Sequence, residues 1–149
     1  MSEPLSQSLV GTWELLSRID RTKSGERRID PSLGEDPIAL LVYDRTGHFA
    51  AQFMKRDRAS VTDEVEAAAA GPNNSRARGG YDAYFGSYSV DDERGTVTQE
   101  LTGALSAENV GLVLTREMTV DADALTIELE TASADGEPVI RTLTWRRVG

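Results

Sequence analysis

Apolar and polar positions alternate with a period of two through most of the chain, which predicts short β-strands separated by polar turns. Over residues 9–19, Gly11, Trp13, Leu15, Ser17 and Ile19 alternate with Val10, Thr12, Glu14, Leu16 and Arg18. The first set is the better inward face, because the second carries both charges. A turn ending at Gly25 precedes a weak strand over 26–30, Pro31 and Pro37 bracket a loop, and 38–43 is a continuous apolar run. Asp44-Arg45-Thr46-Gly47 reads as a four-residue hairpin loop leading into a strand at 48–54. Strands at 83–90 and 96–102 flank the turn 91–95. Three more at 111–120, 124–131 and 139–147 complete the series, separated by Asp121-Ala122-Asp123 and Ser133-Ala134-Asp135-Gly136.

Nine strand candidates joined mostly by hairpin turns predict an all-β fold, an up-and-down antiparallel β-barrel of 8–10 strands. Closure removes both sheet edges, and a barrel of about eight strands can hold one small ligand. Residues 60–80 break the pattern. Thr62 or Asp63 can N-cap a helix over 64–70 that Gly71-Pro72 stops; a polar loop over 73–80 follows, and a second helical turn can reach Tyr84. On such a barrel this short helical insertion is expected over one mouth, as a lid. The expected organisation is one domain over residues 1–149.

Composition narrows the chemistry. With 39% hydrophobic and 28% charged residues among 149, the chain can bury one real core and is not of the disordered class. Its 16 Lys+Arg against 25 Asp+Glu give a net charge of −9, which repels phosphate backbones. The short basic pairs Arg76/Arg78 and Arg146/Arg147 do not offset this, so no nucleic-acid partner is expected. Absence of cysteine removes disulfides, thiol nucleophiles and thiolate metal sites, and the single histidine, His48, excludes sites built on two imidazoles. There is no GxGxxG, P-loop or nucleophile elbow, so neither a cofactor nor a metal is expected. The first residues, Met1-Ser2-Glu3-Pro4-Leu5, show no export signal, and no apolar run approaches the ~18 residues of a membrane span. A cytoplasmic protein, monomer or homodimer, is the expectation.

Strand parity then selects interior residues. In 112–120, Leu112, Leu114, Arg116, Met118 and Val120 form the apolar face, which places Arg116 inside. A guanidinium cannot lose its proton to escape burial, so it demands an anionic or strongly hydrogen-bonding partner. Arg116 can bind a ligand carboxylate or stabilise an enolate oxygen; its bland role is to pair with an interior acid or with solvent at a barrel mouth. The face Tyr84, Gly86, Tyr88 and Val90 puts two phenols inward, suited to orienting a carbonyl or acting as general acid, or simply to packing. Gln99 shares a face with Val97 and Leu101, as a ligand contact or part of a structural network. In 48–54, the faces His48-Ala50-Gln52-Met54 and Phe49-Ala51-Phe53 are equally credible as interior; the former makes Gln52 a ligand contact. His48, next to the Gly47 turn, is expected at an exposed rim, and Tyr43 is a further cavity candidate. Leu15, Ile127, Leu129, Leu143 and Trp145 are expected in the wall, with Glu128 and Glu130 solvated.

Gly11-Thr12-Trp13 near the start, with Trp145-Arg146-Arg147 near the end, resembles the lipocalin arrangement. There the tryptophan closes one end of the barrel and an arginine of the last strand packs over it; parity does not choose between Arg146 and Arg147. A longer likeness, to the bacterial and fungal lipocalin-like domain family, rests on Leu33-Gly34, Asp36-Pro37, Leu41, Tyr43, Gly47, Ala51-Gln52, Met54 and Asp57-Arg58. It continues through Tyr81-x-x-Tyr84-Phe85-Gly86-x-Tyr88 and Gly95-Thr96-Val97-Thr98. Two departures stand out: relatives often carry a histidine where this chain has Gln99, and an aromatic beside Asn109 where Val110 stands. The resemblance implies a small β-barrel with an internal cavity, a fold that hosts carriers and enzymes alike. The leading expectation is a binding barrel for a small, largely apolar ligand with one carbonyl or carboxylate, contacted by Arg116, Tyr88, Tyr84, Gln99, Gln52 and Tyr43. The alternative is a cofactor-independent cyclase, isomerase or dehydratase of natural-product type in the same cavity, where Arg116 stabilises negative charge and Tyr88 transfers a proton.

Overall fold

A computed structural model describes residues 3–58, 73–133 and 135–149; the helix expected over 64–70, and with it much of the expected lid, lies outside them. Among the described residues nine strands form one antiparallel sheet: β1 (Gly11–Thr22), β2 (Arg27–Arg28), β3 (Ile38–Tyr43), β4 (His48–Met54), β5 (Tyr81–Asp91), β6 (Thr96–Ala104), β7 (Val113–Asp121), β8 (Ala124–Ala132) and β9 (Pro138–Arg147). β1 pairs with β9 from Trp13 to Thr22, so β1 and β3–β9 close into a barrel, with the two-residue β2 added to the free edge of β1. A short helix α1 (Leu5–Ser8) and a 3-10 turn (Ala107–Asn109) accompany the strands. Among the described residues no helix is long and apolar enough to cross a membrane.

Alternation assigns the faces. The apolar run of β3 turns Ala39, Leu41 and Tyr43 inward and leaves Ile38 and Leu40 exposed. In β4, Phe49, Ala51 and Phe53 are buried while His48 and Gln52 face out, which settles a parity that composition left open. Two large rings bury more apolar area than Ala50 and Met54 can, so they take the inner face. β5 begins at Tyr81, where Asp82 pairs with Phe53, so strand replaces the helical turn expected to reach Tyr84.

β1 departs from its expected parity. Its pairing with β9 skips from Leu15↔Trp145 to Ser17↔Thr144, a bulge with Leu16 as the extra residue. One added residue turns the remaining strand over. Trp13 is inward before the bulge; after it Arg18, Asp20 and Thr22 are buried, although Ser17 and Ile19 continue the apolar alternation.

One end of the barrel is sealed. Trp13 is fully buried and donates its indole N–H to Leu9 O at 3.0 Å. The Arg147 guanidinium lies 4.3 Å from the Trp13 ring centroid and donates to Ser8 O and Val10 O at 2.6 and 2.8 Å. Gly11 makes this approach possible: with φ at +147°, a Cβ there would stand 2.4 Å from Arg147 Nη1. Arg146 points outward to Glu14 at 3.2 Å, so Arg147 alone of the two is the plug. Outward alternation excludes its neighbour.

Candidate functional site

The interior divides along the barrel axis. Near the sealed end Trp13, Tyr43, Phe49, Val97, Met118 and Leu125 pack together, with Tyr43 stacked against Phe49. Gln99 donates to the Tyr43 hydroxyl at 2.6 Å, and burial drives the Tyr43 phenol pKa far above its ordinary value. Tyr88 meets the Tyr43 ring edge-on at 4.8 Å and donates its hydroxyl to Asp44 O at 2.5 Å.

The opposite end is polar. Arg18 from β1, Ser75, Asp82 and Tyr84 from β5 and its approach, Arg116 from β7 and Arg141 from β9 wall a cavity of about 40 Å³. That is room for roughly two or three waters. Asp30 and Ser32 close it from the connection between β2 and β3. There the Ser32 amide and hydroxyl both donate to Asp30 Oδ1, at 2.9 and 2.7 Å, in a side-chain-capped turn after Pro31. The segment 73–80 is held by two asparagines. Asn73 exchanges side-chain hydrogen bonds with the Thr115 backbone at 2.9 and 3.0 Å, where β7 has parted from β8. Asn109 does the same with the Arg76 backbone, both at 2.9 Å.

Four of the buried charges neutralise one another. Arg141 grips Asp20 through two nitrogens at 2.8 and 3.0 Å and reaches Asp30 at 3.3 Å; Arg18 meets Asp30 at 2.9 Å. Burial opposes ionisation of Asp30, yet the flanking Arg18 and Arg141 hold its carboxyl below the usual carboxylate range. Burial also works against the Arg141 cation, but its bonds to Asp20 and the charges of both aspartates raise its pKa.

Among the described residues two buried charges are left over. Arg116, 6% exposed, donates through Nη1 to Asn73 O and Thr115 O at 2.8 and 3.2 Å. No carboxylate among the described residues lies within ion-pair distance of it, and burial lowers its pKa. Asp82, 5% exposed, accepts the Ser75 hydroxyl on Oδ2 at 2.5 Å, while Oδ1 has no partner. Burial pushes the Asp82 carboxyl up to about 6, against the opposing pull of Ser75 and Arg18. Tyr84, also on the cavity wall, is pushed up to about 12 by burial, with the Asp82 charge adding to it.

The structure thus brings Arg116 and Tyr84 to one cavity and separates the other expected contacts from it. Tyr43 and Gln99 are interior but bonded to each other below the cavity. Tyr88 belongs to the sealed end, its hydroxyl occupied by a backbone carbonyl, which corrects its expected place beside Arg116. Gln52 is corrected as well: it lies outside, accepting the Tyr81 hydroxyl at 2.5 Å, because the Phe49 and Phe53 rings claim the inner face. The open space is lined by charged and apolar side chains alike, although a largely apolar ligand was expected, since aromatic and aliphatic side chains fill the rest of the interior. Sequence reasoning missed Arg18, Asp20, Asp30, Asp82 and Arg141. Arg141 carried a signal, lying between Val139 and Leu143 as Arg116 lies between Leu114 and Met118. Asp82 stood two residues before Tyr84 on the same face. No three His, Cys, Asp or Glu side chains among the described residues gather as metal ligands would.

A family profile described as a lipocalin-like domain matches residues 10–148. No curated protein matches the chain.

Proposed function

The chain belongs to the lipocalin-like domain family, and we propose that its barrel takes up a small molecule head-first, a carboxylate or carbonyl oxygen meeting Arg116. One observation carries this reading: Arg116 is a buried guanidinium on a cavity wall with two carbonyls for partners and no carboxylate among the described residues. Taking a charge out of water costs several kcal/mol unless it is paired. Among the described residues Arg18 and Arg141 are neutralised by aspartates and Arg116 is not, which suits Arg116 to an external oxyanion. About 40 Å³ accommodates a head group and not an apolar body. The body would lie toward the mouth, along Leu33, Phe53 and Leu129 on the same wall.

The test is capture from an extract of the host cells, with protein at about one part per hundred of small molecules, read by chromatography and mass spectrometry. A carrier retains a stoichiometric amount of a component bearing a carboxylate or carbonyl, and Arg116→Ala, folded by circular dichroism, releases it. Equal retention by the variant refutes the role of Arg116. Multiple-turnover conversion of a component is the signature of the second reading, a cofactor-independent enzyme. That reading is favoured by Asp82, a second charge in the cavity with no ion pair among the described residues.

A further inference from the structure

We infer that Asp82 is the acid–base group for proton transfer at a carbon next to a carbonyl, with Arg116 receiving the oxygen on which charge collects. This rests on the head-group binding proposed above. The pattern of pairing carries it. Asp20, Asp30, Arg18 and Arg141 form a closed ion network, while Asp82 and Arg116 line the same cavity without an ion pair to each other or to that network. Charges buried for stability alone would be expected to pair, because a lone buried ion is destabilising. An acid and a cation that have no ion pair among the described residues, around one small space, are what general acid–base chemistry at a carbonyl needs.

The geometry at Asp82 is that of a positioned base. The Ser75 hydroxyl occupies Oδ2 and so orients the carboxylate, leaving Oδ1 free of hydrogen bonds. Burial pushes Asp82 to about 6, so near neutral pH it is mostly ionised yet a stronger base than an ordinary carboxylate. Ser75, Arg18 and the Ala83 backbone N–H favour its charged form and Asp30 opposes it, while Tyr84 on the same strand stays protonated as a further donor.

In the step itself, Asp82 Oδ1 takes a proton from the α-carbon. The C–H electron pair becomes the C=C bond of an enolate, and the carbonyl π pair moves to oxygen beside Arg116. The neutral Asp82 carboxyl then returns the proton, to the same carbon in simple exchange or to the γ-carbon of a β,γ-unsaturated substrate. The second outcome shifts the double bond into conjugation. Atoms and charge balance without oxidant, reductant or co-reactant. The substrate class is a small carbonyl compound with acidic α-hydrogens, and the reaction class is isomerisation.

The experiment uses the full chain in heavy water with two probes, pyruvate and a β,γ-unsaturated cyclohexenone. Nuclear magnetic resonance follows carbon deuteration and probe binding; ultraviolet absorbance follows the conjugated enone. The wild type should exchange α-hydrogens faster than buffer, and Asp82→Asn, which keeps an acceptor for Ser75, should lose about a hundredfold or more in rate. Probe binding should survive in Asp82→Asn and fall in Arg116→Ala. Arg116-dependent binding without exchange above the Asp82→Asn level overturns this inference and leaves the binding proposal standing. Equal binding by Arg116→Ala overturns the binding proposal instead. Failure of the wild type to exchange either probe overturns the inference. A carbon-13 titration of the free protein is the readout that needs no substrate: an ordinary carboxylate pKa at Asp82 also overturns it.

Discussion

Replacing Asp82 with asparagine should make the protein more stable, and only above the pH at which the carboxyl ionises. The ordinary value of 3.8 becomes about 6 in the fold, chiefly through burial. About two pKa units at 1.36 kcal/mol each amount to roughly 3 kcal/mol. Because the folded-state value is raised, the folded protein holds this proton more tightly than the unfolded chain. Stability from this group is therefore full below about pH 4 and is lost as pH rises through about 6. Asparagine is neutral throughout and keeps the Ser75 hydrogen bond. The difference between variant and wild type should be near zero at about pH 4 and reach roughly 3 kcal/mol above about pH 7. Asp30, held below the usual carboxylate range, stays ionised in the fold across this window, and carboxylates that do not interact with Asp82 cancel in the difference. Urea unfolding across this range reads it as a midpoint shift of about 1–2 M at high pH. A difference that does not vary with pH, or an asparagine variant less stable at high pH, would show that the Asp82 charge is compensated and refute the reasoning.

Three further outcomes are expected. Arg116→Met removes a buried cation that has no carboxylate partner among the described residues, so urea unfolding should find stability within about 1 kcal/mol of wild type or above it. Affinity for the carboxylate or carbonyl component retained from extract should fall at least about tenfold, near 1.4 kcal/mol; a large stability loss with unchanged affinity would make Arg116 a structural residue. Asp30→Asn leaves Arg18 without its carboxylate and should cost about 3–5 kcal/mol. Since the Asp30 pKa is depressed in the fold, its contribution is present above the ordinary carboxylate range and lost as pH falls through the folded value. The penalty should accordingly shrink in acid, and a pH-independent penalty counts against the assignment. Arg147→Ala removes the stacking on Trp13 and two bonds to carbonyls, for roughly 1–3 kcal/mol. Faster amide exchange should be confined to α1 and the start of β1, and exchange rising at the polar mouth instead would contradict the plug assignment.

Much of the barrel was legible because hairpin turns and alternation are local. Strand order followed from the turns, and the inward position of Arg116 followed from apolar neighbours two residues away on each side. Where both faces of a strand are apolar, as with Ala50 and Met54 against Phe49 and Phe53, alternation carries no direction, and total burial across the barrel decides. Asp30 was out of reach for another reason. It sits in a loop with no period, and its burial depends on Arg18 and Arg141, 12 and 111 residues away along the chain.

The bulge at Leu16 ties these misses together. β1 pairs with β3 only as far as Glu14; farther along, the same edge carries the short β2 at Asp20 and Arg21, and the β2–β3 connection brings Asp30 against Arg18. The extra residue falls at this departure and turns Arg18 and Asp20 inward. Without it Ser17 and Ile19 would face the mouth, and Asp30, carried in by the covering loop, would keep Arg141 but lose Arg18. With it, two cations and two carboxylates meet and neutralise, which anchors the loop that roofs the cavity. That closed network leaves Asp82 and Arg116 with no ion partner inside it, although all six charges share one end of the barrel. A one-residue irregularity in the first strand therefore separates the charges that hold the mouth together from the two available to a ligand.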